Sequence, residues 1–225
     1  QAVVNSILLA VITCMVCIVA GTATAYLKVR KNSKAAKMFE SAAALTYALP
    51  GIVLALAMIF HWTVVPGVYG TVKILMIAYA TRYVVLQIKG STTAMLSVEP
   101  ALEEAGRVFG AGKVTIWRKI MTPVMAKQIL SSSFLIFVSS LTELTLSSML
   151  ASAGTKTIGL TIFNLQQGGD YSLSAAMSAV IVFIVFFVYS LVALVKKKDE
   201  EDAKRPKAQE SSVEEVREHA VGQGA

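Results

Sequence analysis

Apolar residues gather in five long runs, at 3–27, 42–62, 71–88, 127–150 and 175–195. A helix needs roughly 20 residues to cross about 30 Å of hydrocarbon, and each run is of that order. Backbone that faces lipid has no water to bond, so each run must satisfy its own amides and carbonyls as a helix. The pattern predicts an all-α, polytopic bundle of five membrane spans over 1–195. Polar stretches between the runs alternate in character. Segment 28–37 (KVRKNSKAAK) carries five Lys/Arg, 63–70 (TVVPGVYG) none, and 89–126 five, with Lys127 opening the next run. Segment 151–174 carries one, and Lys196, Lys197 and Lys198 follow the last run. Basic loops stay on the cytoplasmic side. Segments 28–41, 89–126 and the C-terminus therefore read as cytoplasmic, and 63–70 and 151–174 as outer loops. The N-terminus then faces outward, which leaves an odd number of spans, and the chain opens on Gln1. A missing upstream span, or a whole upstream half, is the expectation. The first run has no basic n-region or small-residue cleavage site, so it reads as a span and not as a signal peptide.

Composition narrows the class. Of 225 residues, 55% are hydrophobic and only 16% charged, with a mean hydropathy of +0.64. Soluble domains carry about 25% charged residues, which makes a water-soluble enzyme a poor reading. Formal charge is +7. Residues 1–195 hold 14 Lys/Arg against 6 Asp/Glu, and 196–225 hold 7 against 8. Basic residues flanking spans orient a chain in lipid, so membrane is the expected partner and nucleic acid is not. The polar tail at 196–225, low in aromatics, reads as disordered, although 212–215 has capping-box spacing.

Cys14 and Cys17 form a CxxC inside an apolar run, without a basic neighbour to lower a thiol pKa. They read as buried small hydrophobes, and the lack of further cysteines excludes a zinc or disulfide scaffold. His61 beside Trp62 reads as an interfacial residue, because one histidine supplies no ligand set.

The long loop at 97–126 has the most to say. Pro100 suits a first helical position, with Glu103 and Glu104 near the positive end of the helix dipole. Gly110 and Gly112 break the chain, and a second helical run at 114–120 ends near Pro123. A helix–glycine–helix elbow on the membrane surface suits a docking lever; a plain amphipathic interfacial loop is the alternative. A phosphate-loop reading of 106–113 fails, since Arg107 stands where glycine is needed and Val114 where Ser or Thr is needed.

Glu104–Ala105, then Gly110, Ile120 and Pro123, resembles in register the EAA loop of binding-protein-dependent ABC importers. Gly106 stands for the motif's second alanine and Thr122 for its leucine. Further stretches resemble permeases of the ferric-iron type: Leu49–Pro50–Gly51–Ile52–Val53–Leu54–Ala55, then Ala78–Tyr79 with Arg82–Tyr83. Thr142–Glu143–Leu144–Thr145, Thr157–Ile158–Gly159–Leu160 and Gly168–Gly169–Asp170 complete the set. The resemblance implies a transmembrane permease subunit of a type I ABC importer in a bacterial inner membrane, for ferric iron or, as in relatives, thiamine, phosphonate or polyamine. It implies three partners: a cytoplasmic ABC ATPase dimer, an extracytoplasmic solute-binding protein and a second permease half, as homodimer or fusion. The permease would be no enzyme and hold no cofactor, ATP being used by the partner ATPase. By the same resemblance, coupling falls to Glu103, Glu104, Ala105, Gly106, Val108, Phe109, Gly110, Trp117, Ile120 and Pro123. A surface helix at 101–109 would enter a cleft of the ATPase, oriented by Glu104. Gly110 would turn the chain, Val108, Phe109 and Trp117 would fill apolar sockets, and Pro123 would set the angle of the next span.

A translocation path is expected from Pro50, Gly51, Tyr79, Arg82 and Glu143. Glu143 lies about 24 Å along its helix from Lys127, and an intramembrane acid is a functional candidate by default. A structural pair with Lys73, at similar depth, is the alternative. Arg82 lies about 10 Å from Lys89 and is expected to snorkel to the interface. Tyr79, Arg82, Tyr83 and Leu86 fall on one helical face, as packing residues do. Pro50–Gly51 either lines a cavity or merely kinks its helix. Two rivals stand outside this class. A secondary transporter would show inverted repeats and midplane charges. A membrane scaffold would have no reason to carry the Glu104–Gly110–Ile120–Pro123 register.

Overall fold

The computed structural model describes residues 1–222, with side chains through Lys197. Among the described residues every regular element is helical. In chain order these are α1 (Ala2–Val29), α2 (Lys34–Ala48), α3 (Gly51–Trp62), α4 (Val72–Leu96), α5 (Pro100–Val108) and α6 (Lys113–Ile116). A π-helical turn (Trp117–Met121) leads into α7 (Thr122–Leu141), followed by α8 (Thr145–Leu150), α9 (Ile158–Gln167) and α10 (Tyr171–Gly222).

Helix α1 buries Leu9, Ala10, Thr13, Cys17, Gly21, Thr24 and Ala25, a stripe recurring every three to four residues. That stripe packs on α4, which also meets α7, α2, α8 and α3. Small residues let these helices approach closely, as membrane helices require in the absence of a hydrophobic driving force. At Gly90 of α4 a Cβ would lie 2.4 Å from the Ser132 side chain of α7. Gln87 of α4 is fully buried, donating to Ser91 and accepting from Ser133, each at 3.1 Å.

Three of the expected spans change shape. Run 42–62 is a bent pair: α2 and α3 meet at 112°. Pro50 holds Leu49 extended, with ψ of 142°, and ends α2 before it. Run 127–150 breaks at 142–144, between α7 and α8. Run 71–88 extends to Leu96. By length and composition, three described helices suit a membrane crossing: Ala2–Val29, Lys113–Leu141 and Tyr171–Lys197, with the bent pair as a fourth. At about 1.5 Å per residue α4 is long enough, roughly 37 Å, but Arg82, Gln87 and Lys89 lower its hydropathy. Its neighbours supply the hydrogen bonds that lipid does not.

Residues far apart in sequence gather at the two ends. At one end Lys28 and Lys89 meet Glu40 at 2.5 and 2.7 Å, and Arg30 meets Glu103 at 2.6 Å. At the other, the Asn5 amide donates to the Gly154 and Lys156 carbonyls at 3.1 Å, and Ser6 Oγ accepts from the Ile158 amide. This agrees with the charge count, which groups 28–41 with 89–126 and the N-terminus with 151–174.

These contacts lie within a compact unit of Gln1–Val185; Phe186–Ala225 forms a second. In the second unit the backbone is helical to Gly222. The side chains of 198–225, with the capping spacing at 212–215, lie outside the described residues.

Candidate functional site

Two interruptions in the helical chain carry the candidate chemistry. The first is the elbow at 100–123. Helix α5 starts on Pro100, whose missing N–H costs nothing in a first turn. It buries Glu103 and Gly106. Glu103 Oε1 accepts from Arg30 Nε at 2.6 Å, Arg107 stands 3.7 Å from its other oxygen, and Arg30 also donates to the Val98 carbonyl at 2.7 Å. Gly106 seats against Ile120 and Ile116, a Cβ there lying 3.0 Å from the Ile120 side chain. The opposite face holds Glu104 and Ala105, both exposed. Val108 and Phe109 close the helix 85% and 89% exposed.

Gly110 then takes φ of +76°, the left-handed conformation in which Cβ is strained, and turns the chain. The Ala111 amide bonds back to the Gly106 carbonyl at 2.9 Å, closing the C-terminus of α5.

The expected coupling residues divide here between an inner and an outer face. Glu103 holds α5 to the body of the chain, its carboxylate reaching Arg30 of the segment after α1, while Glu104 stays exposed. Trp117 turns inward, its ring 5.3 Å from Tyr26, and Ile120 is half-buried beside it. Both hold the elbow onto the protein; its most exposed apolar side chains are Val108 and Phe109, with Val114 and Leu102 also outward. Pro123 sits in the first turn of α7, inside the apolar segment Lys113–Leu141. The π turn just before Pro123 takes up the irregularity that a proline brings to a helix.

The second interruption is the bend at 142–144. Glu143 is 8% exposed. Its Oε1 accepts from the Leu146 amide at 3.1 Å, capping α8, and its Oε2 accepts from the Tyr83 hydroxyl. Arg82 Nε stands 3.9 Å from Oε2, and Arg82 Nη1 donates to the Leu49 carbonyl at 3.2 Å. Tyr79 and Ser147 share a 2.5 Å hydroxyl contact, and the Tyr79 ring meets that of Tyr83 edge-on. Gly51 packs on Thr145: a Cβ there would lie 3.0 Å from it and 3.5 Å from the Arg82 guanidinium.

Arg82 and Glu143 line one cleft of about 350 Å³. Gly51 packs beside it on Thr145, Tyr79 bonds Ser147 behind it, and Pro50, at the start of α3, is not among its lining residues. Lys73 is not the partner of Glu143; it sits in the first turn of α4, ten residues before Tyr83, roughly 15 Å away along the axis. Nor does Arg82 snorkel to the cytoplasmic end. It turns to Glu143 and Leu49. Tyr47, Ser139 and Thr145 also line the cleft, and Ser147 backs it. Ser139 and Ser147 are not legible as site residues, since small hydroxyls in apolar runs commonly bond to their own helix.

The remaining candidates stay structural. Cys17 is fully buried, and the Cys14 and Cys17 thiols point at the Ser133 and Ala80 carbonyls. His61 meets Trp62 edge-on. Among the described residues no three His, Cys, Asp or Glu gather as metal ligands.

Residues 17–198, which include both interruptions, match the family described as binding-protein-dependent transport system inner membrane component. The chain belongs to that family. It is 25% identical over 181 residues to the ferric transport system permease protein FbpB of Actinobacillus pleuropneumoniae, covering 80% of this chain and 26% of that protein. It is 22% identical over 141 residues to the Fe(3+)-transport system permease protein FbpB 2 of Haemophilus influenzae, covering 61% and 28%. The chain therefore spans about a quarter of the length of these curated relatives.

Among solved structures it resembles an inward-facing conformation of the MetNI methionine ABC transporter. The TM-score is 0.68 at 16% identity, over 88% of this chain and 94% of that one. A bacterial ABC transporter involved in import of the acidic polysaccharide alginate gives 0.66 at 16%, over 86% and 78%. These likenesses establish the inner membrane component's fold. They leave its cargo to other arguments.

Proposed function

We propose that this chain is the permease of an ATP-driven, binding-protein-dependent importer, and that its cargo is ferric iron. The observation that carries the importer is the elbow inside the family match at 17–198: a short helix locked by Glu103 and Arg30, ending on two exposed apolar side chains. Exposed Val108 and Phe109 on the cytoplasmic side are suited to an apolar cleft on an ABC ATPase dimer, which would supply all ATP chemistry. The two ferric permeases among its relatives support iron as cargo.

In this reading the elbow is a lever. Closure of the ATPase dimer moves α5, and Gly106 on Ile116 and Ile120 passes that movement into the segment Lys113–Leu141. About 30 Å further on, at 1.5 Å per residue over α7, the segment ends at the bend beside Glu143. The Glu143 cleft then opens or closes with the lever. ATP shifts the equilibrium only through the ATPase's differential affinity for the two arrangements. A solute-loaded binding protein docks on the outer loops at 63–70 and 151–174, and a second permease half completes the path. The C-terminus faces the cytoplasm.

The test is ATP hydrolysis by the full-length permease with its ATPase in lipid discs, comparing apo and ferric-loaded binding protein. Thiamine-, phosphonate- and polyamine-loaded forms run alongside. Stimulation by the ferric form alone is expected. Stimulation by another loaded form keeps the importer and discards iron. No stimulation by any, without a stable ATPase complex, discards the importer.

A further inference from the structure

Between α1 and α7 lies an apolar groove of about 740 Å³, lined by Val19, Ala23, Leu27, Ala126, Ile129 and Leu130 among others. Tyr26 and Trp117 stand at its end, and the same two rings line a second, polar cleft of about 550 Å³. That cleft holds Lys31, Arg107 and Lys113 against one carboxylate, Glu103. The Glu103 charge is already met by Arg30 at 2.6 Å and Arg107 at 3.7 Å. Lys31 and Lys113, both exposed, leave the cleft with a net positive charge.

Dimension and charge point to the same occupant. The groove follows α1 from Ile18 to Leu27 and α7 from Thr122 to Ser133. At 1.5 Å per residue those stretches rise roughly 14 and 17 Å, close to one leaflet of a hydrocarbon core about 30 Å thick. Tyr and Trp sit where aromatic belts mark the membrane–water boundary. Beyond them the basic cleft opens on the side that the charge count assigns to the cytoplasm, where basic residues attract anionic headgroups.

We propose that this paired groove and cleft is a binding site for one anionic phospholipid of the cytoplasmic leaflet. An acyl chain lies between α1 and α7, the glycerol passes Tyr26 and Trp117, and the phosphate meets Lys31 and Lys113. The lipid bridges α1 to the root of the elbow. The site depends on the chain's placement in a membrane, not on its cargo or on ATP coupling.

Two measurements test it on the full-length protein. In discs of mixed phosphatidylglycerol and phosphatidylcholine, a photoactivatable acyl analogue of phosphatidylglycerol should label peptides covering 18–27 and 122–133. The matched phosphatidylcholine analogue should label them several-fold less. In native mass spectrometry, K31E/K113E should lower retained phosphatidylglycerol to the phosphatidylcholine level, while A126F should lower both, with each variant's melting temperature confirming its fold. Equal labelling by the two analogues overturns the proposal. So does labelling confined to other helices, or a crosslink from these peptides to a second copy of the permease.

Discussion

The elbow at 100–123 and the bend at 142–144 solve one problem in two ways. Each interrupts a helix and buries a carboxylate, Glu103 at 6% exposure and Glu143 at 8%. At the elbow the answer is cationic: Arg30 bonds Glu103 at 2.6 Å and Arg107 stands behind it. At the bend the close partners are neutral, the Tyr83 hydroxyl and the Leu146 amide, and Arg82 stands off at 3.9 Å, bonding the Leu49 carbonyl instead. Both carboxylates are buried to a similar degree, so either answer must offset desolvation: a close ion pair at the elbow, a network of dipoles around the charge at the bend. The outward surfaces differ in the opposite sense. The elbow shows Val108 and Phe109 outside and keeps Glu103 within. The bend keeps polar groups around a cleft.

The largest effect is expected from Glu143→Ala. It strips the Tyr83 hydroxyl and the Leu146 amide of their shared acceptor, and each buried group left unsatisfied costs about 1–3 kcal/mol. Thermal unfolding in detergent should show a large loss that Glu143→Gln mostly restores, since the amide oxygen still accepts from Leu146 and the amide nitrogen donates to the Tyr83 hydroxyl, whose own proton turns to the Ser139 carbonyl. Equal losses from both would mean that the charge near Arg82 matters more than the hydrogen bonds.

Glu103→Ala should cost less, about 1.5–3 kcal/mol for a hydrogen bond to a charged group, because Arg30 keeps the Val98 carbonyl. Glu104→Ala should change stability little. A reversal of that order would erase the distinction drawn between the two glutamates.

Gly110→Val should cost about 1–2 kcal/mol through its left-handed φ alone, as no atom lies within 4 Å of the added Cβ. Gly110→Asn, which tolerates that conformation, should recover most of the loss. The smallest effect on stability, within about 0.5 kcal/mol, is expected from Phe109→Ala. Its ATPase affinity should nevertheless fall about tenfold or more, as for an interface anchor. Unchanged affinity in a pull-down titration would remove Phe109 from the coupling surface.

Helix α4 shows why hydropathy ranks these helices poorly. The Tyr171–Lys197 segment is the most apolar span, with a hydropathy of 2.8, and none of its window is buried. Helix α4, less apolar, buries thirteen residues. A helix wholly in lipid must be apolar all round, whereas one surrounded by protein is free to carry Gln87 and Arg82. Hydropathy measures contact with lipid.

Local chemistry alone set the helical class, the grouping of basic segments at one end, the break at Pro50 and the turn at Gly110. Each depends on a property a residue carries with it: apolar length, charge, a ring-locked φ or a missing Cβ. Of the expected path residues, Arg82 and Glu143 come to one cleft, charged residues being unusual within apolar runs. Only the tertiary structure decided which groups meet. Glu103 and Glu104 are neighbours of one type, and the position of Arg30, 73 residues away in sequence, separates them. The same holds for Glu143, which takes Tyr83 and Arg82 in place of Lys73, and for Trp117, which turns to Tyr26. Periodicity assigns a residue to a face of its own helix. What that face meets depends on how the helices cross, and that is set by packing over the whole bundle.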